Sequence, residues 1–140
     1  MKIVFHGSNA LSFRPGLEEL LEGEHEIVEL PDMLLSDEEF ATFENADILV
    51  GVAFNETLPK PGSLKLYQVP GAGVDGIDRS ALPSSAILCN CFGHETAIAE
   101  YVMSALLSFH VPLPDADRRL RTGDWKYWAG RPQGMRTELG

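Results

Sequence analysis

The chain has 140 residues, 44% of them hydrophobic, which suits the core of a single domain. A formal charge of −10 and a pI near 4.7 argue against a nucleic-acid backbone or an anionic membrane as partner, because both call for Lys and Arg to meet phosphate. No run approaches the roughly 18 apolar residues of a membrane span. The opening MKIVFHGSNA is not a signal peptide, and Cys89 and Cys91 provide no disulfide framework, so a cytoplasmic location is expected.

Residues 2–5 read as a short buried strand, closed by His6-Gly7-Ser8-Asn9 as an ordinary turn into a helix. Leu17, Leu20 and Leu21 recur at helical spacing until Gly23 stops them. A second strand covers 25–30 and ends at Pro31. Ser36 followed by Asp37, Glu38 and Glu39 is a helix start, with Ser36 as cap and the acids facing the positive end of the helix dipole. Phe40 and Phe43 give that helix its apolar side.

A third strand spans 47–52, and a loop with Asn55, Pro59, Pro61 and Gly62 follows it. A fourth strand spans 64–69 and breaks at Pro70 and Gly71. A short helix over 77–82 ends at Pro83, and a fifth strand spans 86–91. Five strands separated by helices predict an α/β fold with a doubly wound parallel sheet. Short apolar strands suit burial on both faces.

The character changes after Gly93. Residues 95–110 form a long helix without a breaker, with Ile98, Val102, Ala105, Leu106 and Phe109 in one stripe. Ala99, Met103 and Leu107 make a second. A helix apolar on most sides needs cover on most sides, which points to a surface beyond this domain. Glu100, among those residues, is expected to be buried and tied to a neighbouring group. Beyond Pro112 the chain turns polar, with a further helix over 115–121. Trp125, Tyr127 and Trp128 follow without an evident local core, as if facing a missing partner.

Gly71-Ala72-Gly73-Val74-Asp75-Gly76 spells G-x-G-x-x-G after a strand. A dinucleotide fingerprint also needs a helix opening at once and an acid about 20 residues on. Here the helix is short, and Cys89-Asn90-Cys91 stands where the acid belongs. The nucleotide reading is therefore disfavoured. Two readings stay open: backbone amides that cradle a carboxylate, or a plain turn. Cys89 and Cys91 share one side of the fifth strand and read as structural buried thiols rather than metal ligands, since His94 alone stands nearby.

Four ordered blocks carry a resemblance. Residues 64–78, LKLYQVPGAGVDGID, resemble the "GAGVDxID" segment of D-isomer-specific 2-hydroxyacid dehydrogenases. Residues 89–102, CNCFGHETAIAEYV, are similar to that family's "NxxGxxxxxVAE" signature. Arg121-Thr122-Gly123-Asp124-Trp125 resembles its "RxGxW", and Glu138-Leu139-Gly140 the opening of its nucleotide domain.

The resemblance implies a flavodoxin-like substrate domain over 1–93 and an interdomain helix over 94–111. The segment 112–140, poorly packed by itself, would lead into an NAD-binding domain not contained in these residues. It implies a small 2-hydroxy or 2-oxo acid as substrate and NAD or NADP as cofactor. The substrate carboxylate would meet the backbone amides of Ala72 and Gly73, with Val52, Ala53 and Phe54 lining the site. His94 and Thr96 would stand near the nicotinamide. The family's catalytic Arg, His and acid come from the nucleotide domain, so no catalytic residue and no metal ligand is assigned in this chain. In isolation the chain is expected to be inactive and to self-associate through the helix 95–110. The competing reading is a stand-alone module that binds a small carboxylate or a protein partner without catalysis.

Overall fold

The structure, a computed structural model, describes residues 1–127. It divides into one unit spanning Met1–Phe92 and a second that begins at Gly93. The first unit is built on five strands: β1 (Lys2–His6), β2 (Glu26–Leu30), β3 (Ile48–Val50), β4 (Leu66–Gln68) and β5 (Ile87–Cys89). All pairings are parallel, in the order β2-β1-β3-β4-β5. Chain direction across the sheet reverses between β1 and β3, which makes their carboxyl ends the switch point where open α/β sheets bind ligands.

Alternation along the strands sorts their side chains onto two faces. Val4, Leu49 and Tyr67 face one way, where they meet Phe43, Phe54, Leu64 and Ile77 in the larger core cluster. Ile3, Phe5 and Val50 face the other, with Ala10 and the half-buried Leu11, Leu17 and Leu21 over them. Helix α2 (Asp37–Glu44) covers the first face through Phe43, and α1 (Ser8–Leu11) covers the second through Ala10. The α/β, doubly wound parallel sheet expected from the sequence is the architecture observed.

Helix α2 begins as the sequence predicts. Ser36 Oγ accepts from the Glu39 N–H at 3.2 Å, while the Glu39 carboxylate accepts from the Ser36 and Leu35 amides at 3.0 and 2.6 Å. This reciprocal box satisfies amides that a helix start leaves open.

Three local expectations change. The helix expected through Leu17–Leu21 is one 3₁₀ turn, Glu18–Leu20, because Leu17 and Leu21 turn to the core while Leu20 is exposed. A one-turn helix, α1, appears where only a turn was expected. Residues 77–82 form no helix. The Ile77 N–H is spent on Val74 O and the Asp78 N–H on Phe54 O, while the Asp78 carboxylate takes the Ser80 amide and hydroxyl. Those bonds commit the backbone to a bridge and a turn.

In the second unit, α3 (Glu95–His110) is followed by α4 (Leu113–Arg121). Every α3 residue from Glu95 to Phe109 is exposed. Glu100 is among them, so it is solvated rather than buried as expected; its charge needs no protein partner when water supplies one. Among the described residues no single helix is long and apolar enough to cross a membrane.

The α4 segment is more ordered than its composition suggested. Asp115 accepts from Arg119 Nε and from the Tyr127 hydroxyl, each at 2.7 Å, and also pairs with Arg118. Arg119 reaches on to Asp124 at 2.8 Å. Tyr127 thus has a polar partner, whereas Trp125 remains 64% exposed. Trp128 and the block 138–140 lie outside the described residues.

Candidate functional site

Two loops meet at the carboxyl edge of the sheet, one after β3 (residues 51–55) and one after β4 (residues 70–76). They are stitched together at Phe54, whose N–H donates to Gly76 O at 2.9 Å and whose carbonyl accepts from Asp78 at 2.7 Å. Gly76 makes this contact possible: a Cβ there would lie 2.4 Å from Val52 O, well inside any allowed contact. Gly51 has the same role one strand over, since a Cβ there would lie 2.6 Å from the Tyr67 hydroxyl. That hydroxyl is buried in the core and donates to Ala53 O at 2.8 Å, and burial raises its pKa above the ordinary phenol range.

The second loop is pinned from its other side by the tail of β5. The Cys91 N–H donates to Gly71 O at 2.9 Å, and Asn90 Nδ2 donates to Ala72 O at 2.8 Å. In a trans peptide the carbonyl of one residue and the N–H of the next point in opposite directions, and the chain's described peptide bonds contain no cis isomer. Anchoring these two consecutive carbonyls toward β5 therefore turns the N–H groups of Ala72 and Gly73 away from it. Among the described residues nothing accepts from either amide. The fixed loop thus carries two adjacent amide donors without an acceptor among the described residues.

The residues singled out in the sequence fall into three groups. Ala72 and Gly73 supply the free amides, and Val52 and Ala53 stand exposed on the neighbouring loop. Phe54 is a correction: at 1% exposure its side chain stacks on Phe43 and packs edge-on to Tyr67, so it supports the loop from within the core and cannot line a ligand. His94 and Thr96 belong to the second unit, where both are exposed at the start of α3, His94 as its N-cap.

The nearby thiols also differ from expectation. Cys91 is exposed and Cys89 half-buried, Cys91 Sγ lying 3.6 Å from both Gln68 Nε2 and Val69 O. The supporting residues that sequence reasoning passed over are Tyr67, Asn90 and Gly76. All three stood inside the quoted blocks, but the carbonyls they meet, of Ala53, Ala72 and Val52, lie in other segments.

Charge at the site is one-sided. Neither loop contains Lys or Arg, and the Asp75 carboxylate lies 3.4 Å from the place a Gly73 Cβ would occupy. A carboxylate held there would rely on amide dipoles alone against a like charge. A dinucleotide does not fit: no helix opens after the glycines, so the helix N-terminus that would face a pyrophosphate is missing.

No protein-family model matches the sequence, and no curated protein matches it. Solved structures do match. A D-lactate dehydrogenase from Treponema pallidum aligns over 99% of this chain and 44% of its own, with TM-score 0.63 and 18% identity. The pyruvate reductase of Chlamydomonas reinhardtii aligns over 99% of this chain and 42% of its own, with TM-score 0.55 and 17% identity.

The fold is shared with D-2-hydroxyacid dehydrogenases. A D-2-hydroxyisocaproate dehydrogenase adds a third instance, over 90% of this chain and 40% of its own, with TM-score 0.55 and 18% identity. The chain thus spans less than half the length of each of these three proteins.

Proposed function

We propose that residues 1–92 are the substrate-binding part of an NAD- or NADP-dependent oxidoreductase that interconverts a small D-2-hydroxy acid and its 2-oxo acid. One observation carries this reading: at the carboxyl edge of this sheet, two consecutive amides without an acceptor are turned away from β5 by fixed anchors. A carboxylate seated on Ala72 and Gly73 would set the position of the neighbouring 2-carbon, with Val52 and Ala53 beside it. Positioning of this kind is a large share of what a binding domain contributes to a two-centre reaction.

Hydride transfer needs a nicotinamide against the substrate carbon and a proton relay. The glycine loop opens no helix toward a pyrophosphate, so in this reading the nucleotide and the catalytic arginine would be supplied by a further domain. His94 and Thr96 would then border the nicotinamide. Two measurements test the reading on the 140-residue chain. Pyruvate titrated to millimolar levels is expected to shift the Ala72 and Gly73 amide resonances. NADH oxidation with pyruvate, glyoxylate or hydroxypyruvate is expected to be absent; turnover by the pure chain would overturn this assignment of roles.

A further inference from the structure

The two free amides are not held in the same way. Ala72's N–H is oriented by a backbone bond, Cys91 N–H to Gly71 O, which almost any residue at 91 would supply. Gly73's N–H belongs to the peptide whose carbonyl, Ala72 O, is held by a side chain, Asn90 Nδ2 at 2.8 Å. Asn90 is the first residue beyond β5 and is half-buried. Its amide must present nitrogen rather than oxygen to Ala72, because a carbonyl accepts.

We infer that Asn90 is the positioning residue of the carboxylate nest, setting the Ala72–Gly73 peptide plane and strengthening the Gly73 N–H as a donor. The inference rests on the substrate-site reading above. Two physical effects carry it. A peptide between Ala72 and Gly73 is free to rotate as a plane unless both ends are fixed, and the Asn90 bond is the fixing contact that does not depend on the backbone of β5. In addition, a carbonyl that accepts a hydrogen bond polarises its own peptide group, so the N–H across the same plane becomes a better donor. With no cationic side chain on either loop, that added donor strength is a substantial part of what an anion would find there.

The test compares wild type with Asn90→Leu, which keeps the bulk and removes the donor, and Asn90→Asp, which sets an acceptor against Ala72 O. Each 140-residue chain, labelled with nitrogen-15, is titrated with sodium pyruvate while the Ala72 and Gly73 amide resonances are followed, and its thermal midpoint is measured. The expected result is a pyruvate Kd raised about ten-fold in both variants, the loss of about one oriented hydrogen bond. The Gly73 response should shrink more than that of Ala72, with the thermal midpoint close to wild type. If Asn90→Leu does not fold, the isosteric Asp variant decides. Wild-type affinity with an unchanged Gly73 response would overturn the role of Asn90 while leaving the nest in place. Equal loss at both amides together with a lowered midpoint would assign Asn90 a merely structural part and overturn it too. A wild-type chain silent to pyruvate would remove the substrate-site reading itself, and this inference with it.

Discussion

The first 92 residues and the described residues that follow them solve opposite problems with similar material. Among the described residues, every buried apolar side chain lies between Ile3 and Ile77. Helix α3 has more apolar positions per turn than either α-helix of the first unit, yet Tyr101 is 77% exposed, Phe109 71% and Ile98 55%. Apolar composition alone therefore does not mark a core. A strand such as β1 hides Val4 and Phe5 because its neighbours supply two covered faces. The α3 stripe has the right residues but stays exposed, so most of its burial energy is unrealised among the described residues.

That contrast can be broken most forcefully by deletion of matched side chains. Phe43 is fully buried, in contact with His6 and Phe54. Phe43→Ala should cost about 3–5 kcal/mol in urea unfolding. Tyr101→Ala, again the deletion of an aromatic ring but at a site 77% exposed, should fall within about 0.5 kcal/mol. A comparable loss at both sites would show that α3 is covered after all. The same exposed stripe predicts concentration-dependent self-association of the chain, reduced by Leu106→Glu with no change in unfolding midpoint; sedimentation velocity reads both variants.

Gly76→Ala sharpens the comparison within the first unit, between packing a core and packing a site. The added Cβ would meet Val52 O at 2.4 Å, against backbone that cannot swing aside as a side chain can. Relieving the clash separates the two loops and stretches the Phe54–Gly76 bond. A loss of about 1–3 kcal/mol is expected, and the Ala72 and Gly73 resonances should move even without pyruvate. A variant as stable as wild type with unmoved resonances would mean that the loops do not depend on this approach.

Much of this architecture is legible in the sequence, for identifiable reasons. The strands announce themselves as short apolar runs between Gly and Pro, and Ser36 with Glu39 states its helix start outright, because both signals are local. The failures are contacts between distant segments. Residues 77–82 have helical spacing, yet Phe54, more than twenty positions earlier, claims the Asp78 N–H. Phe54 itself looked like a wall of the site because it follows β3; only the positions of Phe43 and Tyr67 show that it turns inward. At the candidate site, the glycine block was visible as a pattern. Its arrangement, two amides turned away from β5, depends on Asn90 and Cys91 holding carbonyls some twenty residues away, and no periodicity records that.

The smallest expected effect tests how dry the first unit's core is at its edge. His6 ends β1 with its ring edge-on to Phe43, centroids 5.1 Å apart, and its Nε2 is buried without a partner among the described residues. Burial lowers its pKa below the ordinary 6.5, and Asp32 opposes that shift only in part, through its charge and its backbone hydrogen bond. In the unfolded chain the imidazole takes up a proton as pH falls through about 6.5; in the folded chain it does so only at lower pH. Across that interval unfolding binds a proton, so stability is full above the unfolded pKa and declines as pH falls toward the folded one. The urea midpoint should therefore drop on moving from about pH 7.5 to about pH 5, and His6→Phe should flatten that part of the decline while the carboxylates keep their own contribution at lower pH. An unchanged slope in the variant would mean that water already reaches Nε2, and that the larger cluster is less sealed at the end of β1 than around Tyr67 and Phe54.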